Sequence, residues 1–153
     1  MSRTGIGYDS HRLATGRPLV LAGVEIAHHS GPEAHSDGDV LTHALIDALL
    51  GAAGLGDIGM HYPDTDPRFA GAASLELLRD AVARVAEAGF APEYADTTVV
   101  CEQPKLGPHR EAIAGALAEV LGAPVNVKFT TGEGIGFVGR GEGIAALAVA
   151  TIS

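Results

Sequence analysis

The chain has 153 residues, 46% of them hydrophobic and 19% charged, and its formal net charge is −9. This composition supports one buried core, so a single domain over residues 1–153 is expected. The acidic balance argues against a nucleic-acid-binding protein, and no apolar run approaches the ~18 residues of a membrane span, so neither nucleic acid nor membrane is predicted as a partner.

The first half of the chain carries one strong helix signal among shorter elements. The predicted elements are a strand over 5–11, a hairpin over 18–26, a polar loop over 28–38 and a helix over 39–53. The helix prediction rests on Leu41, Leu45 and Leu49, which repeat at the spacing of a buried helix face. Ser36 or Asp37 is expected to cap its start.

The second half alternates helices and strands. The predicted elements are a loop over 54–71, helices over 74–88 and 108–121, and strands over 95–101, 125–129 and 143–152. Together with the first half this predicts an α+β fold, a four-stranded mixed sheet with three helices packed on one face. A chain this short has nothing left to cover the other face, so burial against sister subunits is expected.

Asp9, His11 and His43 form the first candidate site. Residues i and i+2 of a strand point to the same side, so Asp9 and His11 present a carboxylate and an imidazole together. Two histidines and one carboxylate are typical of a catalytic zinc or similar divalent site. Asp39 and Asp47, one helical turn either side of His43, are expected to orient its imidazole. The alternative is an ordinary turn and an ordinary helix histidine.

His35 and Ser36 precede the predicted helix, where free backbone N–H groups favour an anion. The alternative is a plain helix cap. The spacing of Ala34, Ser36 and Gly38 also resembles the nucleophile elbow of α/β-hydrolases, but no buried strand precedes it and the chain is too short.

Cys101, the only cysteine, has no base beside it and is expected to be buried and unreactive. A single cysteine also predicts a reducing, cytoplasmic setting.

The segment 130–140 contains a literal G-x-G-x-x-G after a strand. A dinucleotide fingerprint also needs a following helix and an acidic residue about 20 positions later, but the residues after Gly139 are predicted as a strand. The segment also lacks the Lys-Ser or Lys-Thr end of a Walker A loop. The hydroxyls of Thr130 and Thr131 and the turn amides can instead meet phosphate oxygens, with Glu133 available for a second cation. The alternative is a glycine-rich connection. The acids of the loop over 56–66 either hold sugar hydroxyls or form a solvated turn.

Several ordered motifs together resemble the family of 2-C-methyl-D-erythritol 2,4-cyclodiphosphate synthases over essentially the whole chain. The motifs lie at 7–11 (Gly-Tyr-Asp-Ser-His), 35–51 (His-Ser-Asp-Gly-Asp through Gly), 56–66 (Gly-Asp-Ile-Gly through Asp-Thr-Asp) and 136–143 (Gly-Phe-Val-Gly-Arg-Gly-Glu-Gly). The chain has Gly132 and Gly134 where members often have threonine and lysine. The resemblance implies a homotrimer whose sheets face its centre, with active sites between subunits.

The resemblance also implies cofactors and catalytic roles. Asp9, His11 and His43 would bind Zn²⁺ or another divalent transition metal, and Glu133 would bind Mg²⁺ or Mn²⁺. His35 and Thr131 would stabilise the transition state, with Ser36 helping to hold the diphosphate. The implied substrate-binding residues are Asp9, Ser10, His11, His35, Ser36, Asp57, Ile58, Gly59, Tyr62, Pro63, Asp64, Thr65, Asp66, Cys101, Lys105, Leu106, Gly107, Phe129, Thr130, Thr131, Gly132, Glu133, Phe137 and Arg140.

The implied activity is that of a phosphorus–oxygen lyase of non-mevalonate isoprenoid biosynthesis. The 2-phosphate of a cytidine diphosphate substrate, 4-diphosphocytidyl-2-C-methyl-D-erythritol 2-phosphate, attacks the β-phosphorus. CMP leaves and the cyclic diphosphate remains. Such a reaction needs positioning and charge neutralisation more than a protein nucleophile. The alternative function is a non-catalytic, metal-stabilised trimeric module that binds a nucleotide or an isoprenoid diphosphate.

Overall fold

The computed structural model describes residues 1–153. The strands are β1 (Arg3–Thr15), β2 (Leu19–Leu21), β3 (Val24–Ile26), β4 (Ser30–Pro32), β5 (Pro92–Val100), β6 (Val125–Thr130) and β7 (Gly143–Ile152). Five of them form a sheet of order β4–β1–β7–β5–β6, and β2 and β3 form a separate hairpin. The helices are α1 (Val40–Ala53), α2 (Ile58–His61), α3 (Ser74–Glu87), α4 (Arg110–Leu121) and α5 (Gly136–Gly139). None of them combines the length and the apolar composition that crossing a bilayer requires.

The predicted α+β class is confirmed, but the counts of four strands and three helices are wrong, since the sheet has five strands and the chain five helices. The additional strand β4 lies in the predicted polar loop and pairs antiparallel with the end of β1, from Leu13 opposite Pro32 to Thr15 opposite Ser30. Its sequence, Ser-Gly-Pro, has no alternating pattern that would indicate a strand, and pairing with β1 is what adds it to the sheet. The additional helices α2 and α5 span one turn each, too short to show a hydrophobic period.

Helix α1 occupies the centre of the core. It packs across β1 and β7, and all of its residues except Asp47 and Gly51 are buried. Asp39 caps its start, because the Asp39 carboxylate accepts the N–H of Thr42 at 3.1 Å. The predicted cap at Ser36 or Asp37 is therefore wrong. Asp39 also accepts the N–H of Gly23 at 3.1 Å, which ties the hairpin turn to the helix.

Strand β1 carries glycine where it crosses α1. A Cβ atom at Gly7 would overlap the carbonyl oxygen of Ala44, and one at Gly5 would overlap that of Ala48. The main chain of the strand therefore lies directly against the main chain of the helix. We call this the glycine contact.

Gly7→Ala is expected to lower the free energy of unfolding by about 1–3 kcal/mol or more, the usual cost of overpacking. The cost is high because the atom that must move is the Ala44 carbonyl oxygen of the backbone and not a flexible side chain. Urea unfolding followed by circular dichroism measures the change. Gly51→Ala is the matched control, since a Cβ there meets nothing within 4 Å and alanine favours a helix. Equal unfolding free energies for the two variants would contradict the close approach.

The sheet face opposite α1 carries an apolar patch on β1 and β7 that is open to solvent in the single chain. Ile6 is 70% exposed and Tyr8 55%, and their direct cross-strand partners Val149 and Leu147 are 40% and 38% exposed. We call these four residues the open face. Side chains of a strand point alternately to its two faces, so these four residues lie on the face away from the helices while the residues between them point toward the helices.

Candidate active site

The structure brings Asp9, His11 and His43 together. Asp9 and His11 project from one side of β1, and His43 comes from the first turn of α1. The Asp9 Oδ2 atom lies 2.9 Å from His11 Nε2 and 3.1 Å from His43 Nδ1. The three donor atoms lie within 4.8 Å of one another, so the cluster could hold a metal ion.

Asp9 and the two histidines affect one another's ionisation. Burial acts to raise the pKa of Asp9, but the hydrogen bonds and charges of His11 and His43 outweigh it and hold the pKa below the ordinary value. Burial likewise acts to lower the pKa of His43, but Asp9, with Asp39 and Asp37 further away, raises it above the ordinary value. The carboxylate is thus kept ionised, and a cation in this position is favoured.

The expected partners of the His43 imidazole are wrong. The Asp47 carboxylate instead accepts the N–H of Ile58 at 3.0 Å, and Asp39 is occupied as the helix cap. The ring atom remote from Asp9, Nε2, lies 2.8 Å from Ser74 Oγ and 3.2 Å from Ser36 Oγ. The backbone N–H of Ile58 takes the Asp47 carboxylate that the spacing had assigned to the His43 imidazole. Helical spacing alone does not reveal such a contact from a distant segment.

A cleft of about 500 Å³ surrounds the cluster. Its lining includes many of the residues predicted to bind diphosphate and sugar: His35, Ser36, Ile58, Gly59, Tyr62, Pro63 and Asp64. We call it the metal-side cleft. Two predicted loop carboxylates are engaged elsewhere, because Asp57 caps α2 through the N–H of Met60 and Asp66 binds Arg68. The Nε2 atom of His35 lies 3.2 Å from the carbonyl oxygen of Asp66.

Tyr62 fixes the loop after α2 to α3. Its ring is 8% exposed, and its hydroxyl donates to the carboxylate of Asp80, which also accepts from Arg84 Nε at 2.7 Å. Burial and the adjacent Asp80 raise the pKa of the Tyr62 hydroxyl. The Tyr62 hydroxyl is therefore bound within the protein, although Tyr62 is among the residues that line the cleft.

A second, separate cavity of about 290 Å³ is lined by Cys101, Glu102, Gln103, Pro104, Lys105, Leu106, Phe129, Thr130 and Thr131. We call it the loop-side cavity. Six of the predicted substrate-binding residues line it, namely Cys101, Lys105, Leu106, Phe129, Thr130 and Thr131, and it shares no lining residue with the metal-side cleft. Burial raises the pKa of the Cys101 thiol to about 11, so the thiol stays protonated, in agreement with an unreactive cysteine.

The turn after β6 is held by Glu102, a residue that the sequence analysis did not single out. Its two carboxylate oxygens accept the N–H groups of Gly132 at 3.1 Å and Gly134 at 3.3 Å. Thr131 Oγ1 accepts the N–H of Glu133 at 3.1 Å. The amides of both glycines, expected to be free for phosphate, are thus occupied. The Glu133 carboxylate is exposed and lines neither cavity.

Further predicted residues line neither cavity, among them Ser10, Gly107, Phe137 and Arg140. Ser10 and Phe137 line a small pocket beside His11, and Arg140 lines another with His28 and His29. Gly107 begins a 3-10 turn before α4. A single chain therefore does not assemble the whole predicted set.

The fold and the donor cluster define a small α+β protein with a candidate divalent-metal site in a polar cleft. The model of the YgbB family matches residues 2–153, and the chain belongs to this family.

Named relatives cover nearly the whole chain. The 2-C-methyl-D-erythritol 2,4-cyclodiphosphate synthase of Symbiobacterium thermophilum is 59% identical over 152 residues, covering 97% of each chain. A solved structure of a synthase of this name, in a form with bound CDP, matches with a TM-score of 0.91 and 44% identity, covering 99% of this chain and 100% of that one. The bifunctional IspDF of Campylobacter jejuni matches with a TM-score of 0.95 and 48% identity, and the chain spans 42% of that longer chain.

Proposed function

We propose that the chain is an enzyme that converts 4-diphosphocytidyl-2-C-methyl-D-erythritol 2-phosphate to 2-C-methyl-D-erythritol 2,4-cyclodiphosphate and CMP in isoprenoid biosynthesis. The observation that carries this proposal is the Asp9, His11 and His43 cluster, inside a fold that matches a synthase of this name along 99% of the chain. Family membership favours the cyclase over a binding module without catalysis. CMP release from the substrate, with and without a chelator, tests it.

The donor set suits a divalent transition metal. Two imidazole nitrogens and a carboxylate oxygen leave a coordination position open, as in catalytic zinc sites. Asp9, His11 and His43 would hold the ion. When bound, it would supply positive charge beside the phosphates of the substrate. Glu133, whose carboxylate is exposed, would hold Mg²⁺ or Mn²⁺, a hard cation that prefers oxygen.

The chain's own side chains hold and orient the substrate. His35 and Ser36 line the metal-side cleft together with the donor cluster. The loop residues that line it are Ile58, Gly59, Tyr62, Pro63 and Asp64. Lys105 and Thr131 line the loop-side cavity, where a cation and a hydroxyl suit the phosphates of a nucleotide. A new P–O bond forms between the 2-phosphate oxygen and the β-phosphorus as the bond to CMP breaks, and no residue becomes covalently attached.

The proposed active site joins the metal-side cleft of one subunit to the loop-side cavity of another, in a homotrimer with the open face turned inward. Two features support this assembly. The two cavities have no lining residue in common, although one substrate carries both the sugar and the nucleotide. The open face also exposes apolar side chains that association would cover.

The domain and its location follow from simple features. One cluster of 31 buried residues includes members of both halves of the chain, which supports a single domain over residues 1–153. Cys101 is a free, buried thiol, which is compatible with a reducing cytoplasm.

His35→Ala and Thr131→Ala are each expected to lower kcat by on the order of 10²-fold or more, the usual loss for one transition-state donor, while the zinc content stays unchanged. Steady-state CMP release and metal analysis measure the two quantities. Thr15→Ala, an exposed threonine outside both cavities, is the control. If both variants keep the wild-type kcat, His35 and Thr131 serve only to shape the loops.

A further inference from the structure

The buried side of the His43 ring contacts a serine. Ser74, the first residue of α3, is 0% exposed, and its Oγ atom lies 2.8 Å from His43 Nε2. The same hydroxyl donates to the carboxylate of Asp37. A chain of contacts thus runs from Asp37 through Ser74 to the imidazole, on the side of the ring opposite Asp9.

The chemistry of Asp37 and Ser74 fixes the direction of each hydrogen bond between Asp37, Ser74 and His43. An ionised carboxylate only accepts, so the Ser74 hydroxyl proton points to Asp37. The Ser74 oxygen can then only accept from His43, so Nε2 carries a proton. In the neutral imidazole the lone pair is therefore on Nδ1, the atom 3.1 Å from Asp9 Oδ2 and within the donor cluster. Ser36 Oγ, 3.2 Å from Nε2, also faces an N–H.

Asp37 is itself anchored to both helices that meet here. Its Oδ1 atom accepts the N–H of Asp39, the residue that caps α1, at 3.1 Å. Its Oδ2 atom accepts the N–H of Ser74, at the start of α3, at 2.9 Å. The carboxylate cannot turn away from Ser74 without breaking bonds at two helix starts.

We infer that Ser74 and Asp37 are positioning residues for the metal: they fix the orientation and the tautomer of His43 so that Nδ1 presents its lone pair to the ion. The inference rests on the proposed function, because it assumes that the cluster binds a divalent ion. A hydrogen-bond partner on the remote ring nitrogen of a histidine ligand typically changes metal affinity 10- to 100-fold.

The test measures zinc affinity of the metal-free full chain by competition with a chromophoric chelator. Ser74→Ala is expected to weaken binding by roughly 10- to 100-fold, and Asp37→Asn to weaken it also, since its amide keeps only one acceptor. Asp47→Asn is the matched control. It removes the charge of an acid one helical turn from His43 whose carboxylate binds Ile58 N–H, and its zinc affinity is expected to equal that of the wild type.

Two further readouts separate positioning from folding. Thermal unfolding of the metal-free proteins shows whether each variant is folded, and the absorption spectrum of the Co²⁺-substituted chain reports the ligand geometry. If wild type binds zinc, His43→Ala does not, and both Ser74→Ala and Asp37→Asn retain wild-type affinity and spectrum, the inference is overturned and the proposed metal site stands. Weakening by Ser36→Ala alone would also overturn it. If His43→Ala binds zinc as wild type does, the proposed site fails and the inference with it.

Discussion

His43→Ala is expected to reduce CMP release below detection and to leave well under one zinc ion per chain. Removal of one transition-state donor lowers kcat by about 10²- to 10³-fold. The loss of activity in His43→Ala should be larger, because the variant loses the bound ion as well as one side-chain contact. Metal analysis of the purified chain and a CMP-release assay measure the two effects. Since ligating histidines must be unprotonated, zinc affinity of the wild type should also fall in acid.

The variant must be checked for folding, because His43 is only 9% exposed and its removal leaves the Ser74 oxygen without the N–H group that it accepts. A buried acceptor that loses its partner costs about 1–3 kcal/mol, so a lower melting temperature with retained helix content is expected. His109→Ala, a half-buried histidine outside the cluster, is the control. Full zinc occupancy together with normal turnover would remove His43 from the site.

A mixture of two inactive variants is expected to regain activity. In the proposed trimer each site takes the metal-side cleft from one subunit and the loop-side cavity from its neighbour. His43→Ala damages the first and Thr131→Ala the second. When equal amounts are unfolded together and refolded, random assembly of closed rings leaves about a quarter of the seams intact, so about a quarter of wild-type activity should return.

The readout needs evidence that subunits exchanged, which mass spectrometry of the refolded mixture supplies. Each variant refolded alone gives the baseline, and two tagged wild-type chains mixed in the same way give the maximum. A site built within one chain predicts a mixture as inactive as its parents. Confirmed mixed trimers without recovered activity would therefore refute the shared site.

Elements with a long internal pattern could be predicted from the sequence. Helix α1 follows from its repeating leucines, and β7 from an apolar run after a glycine-rich turn. The meeting of Asp9 with His11 follows from strand alternation, which holds wherever the strand pairs. The proximity of His43 also depends on α1 packing across β1, and the resemblance to a family supplied that.

Features that depend on tertiary pairing could not be predicted. Strand β4 exists because β1 continues beyond His11 and offers a free edge, which nothing in Ser-Gly-Pro indicates. The contact of Ser74 with His43 joins residues 31 positions apart, and a serine at a helix start is explained equally well by local geometry. Glu102 reaches the turn at Gly132 and Gly134 only because β5 and β6 run parallel and end together.

The glycine contact sets the distance between the two supports of the donor cluster. Asp9 and His11 are carried by the strand and His43 by the helix, and the main chains of the two already touch at Gly7. No side chain lies between them that could be compressed or change rotamer, so the spacing of the donors has little freedom to adapt. Zinc bonds to nitrogen and oxygen measure about 2.0–2.2 Å, whereas calcium needs 2.3–2.6 Å and more ligands. By fixing this spacing, the two absent Cβ atoms of Gly5 and Gly7 are expected to contribute to discrimination between ions by radius.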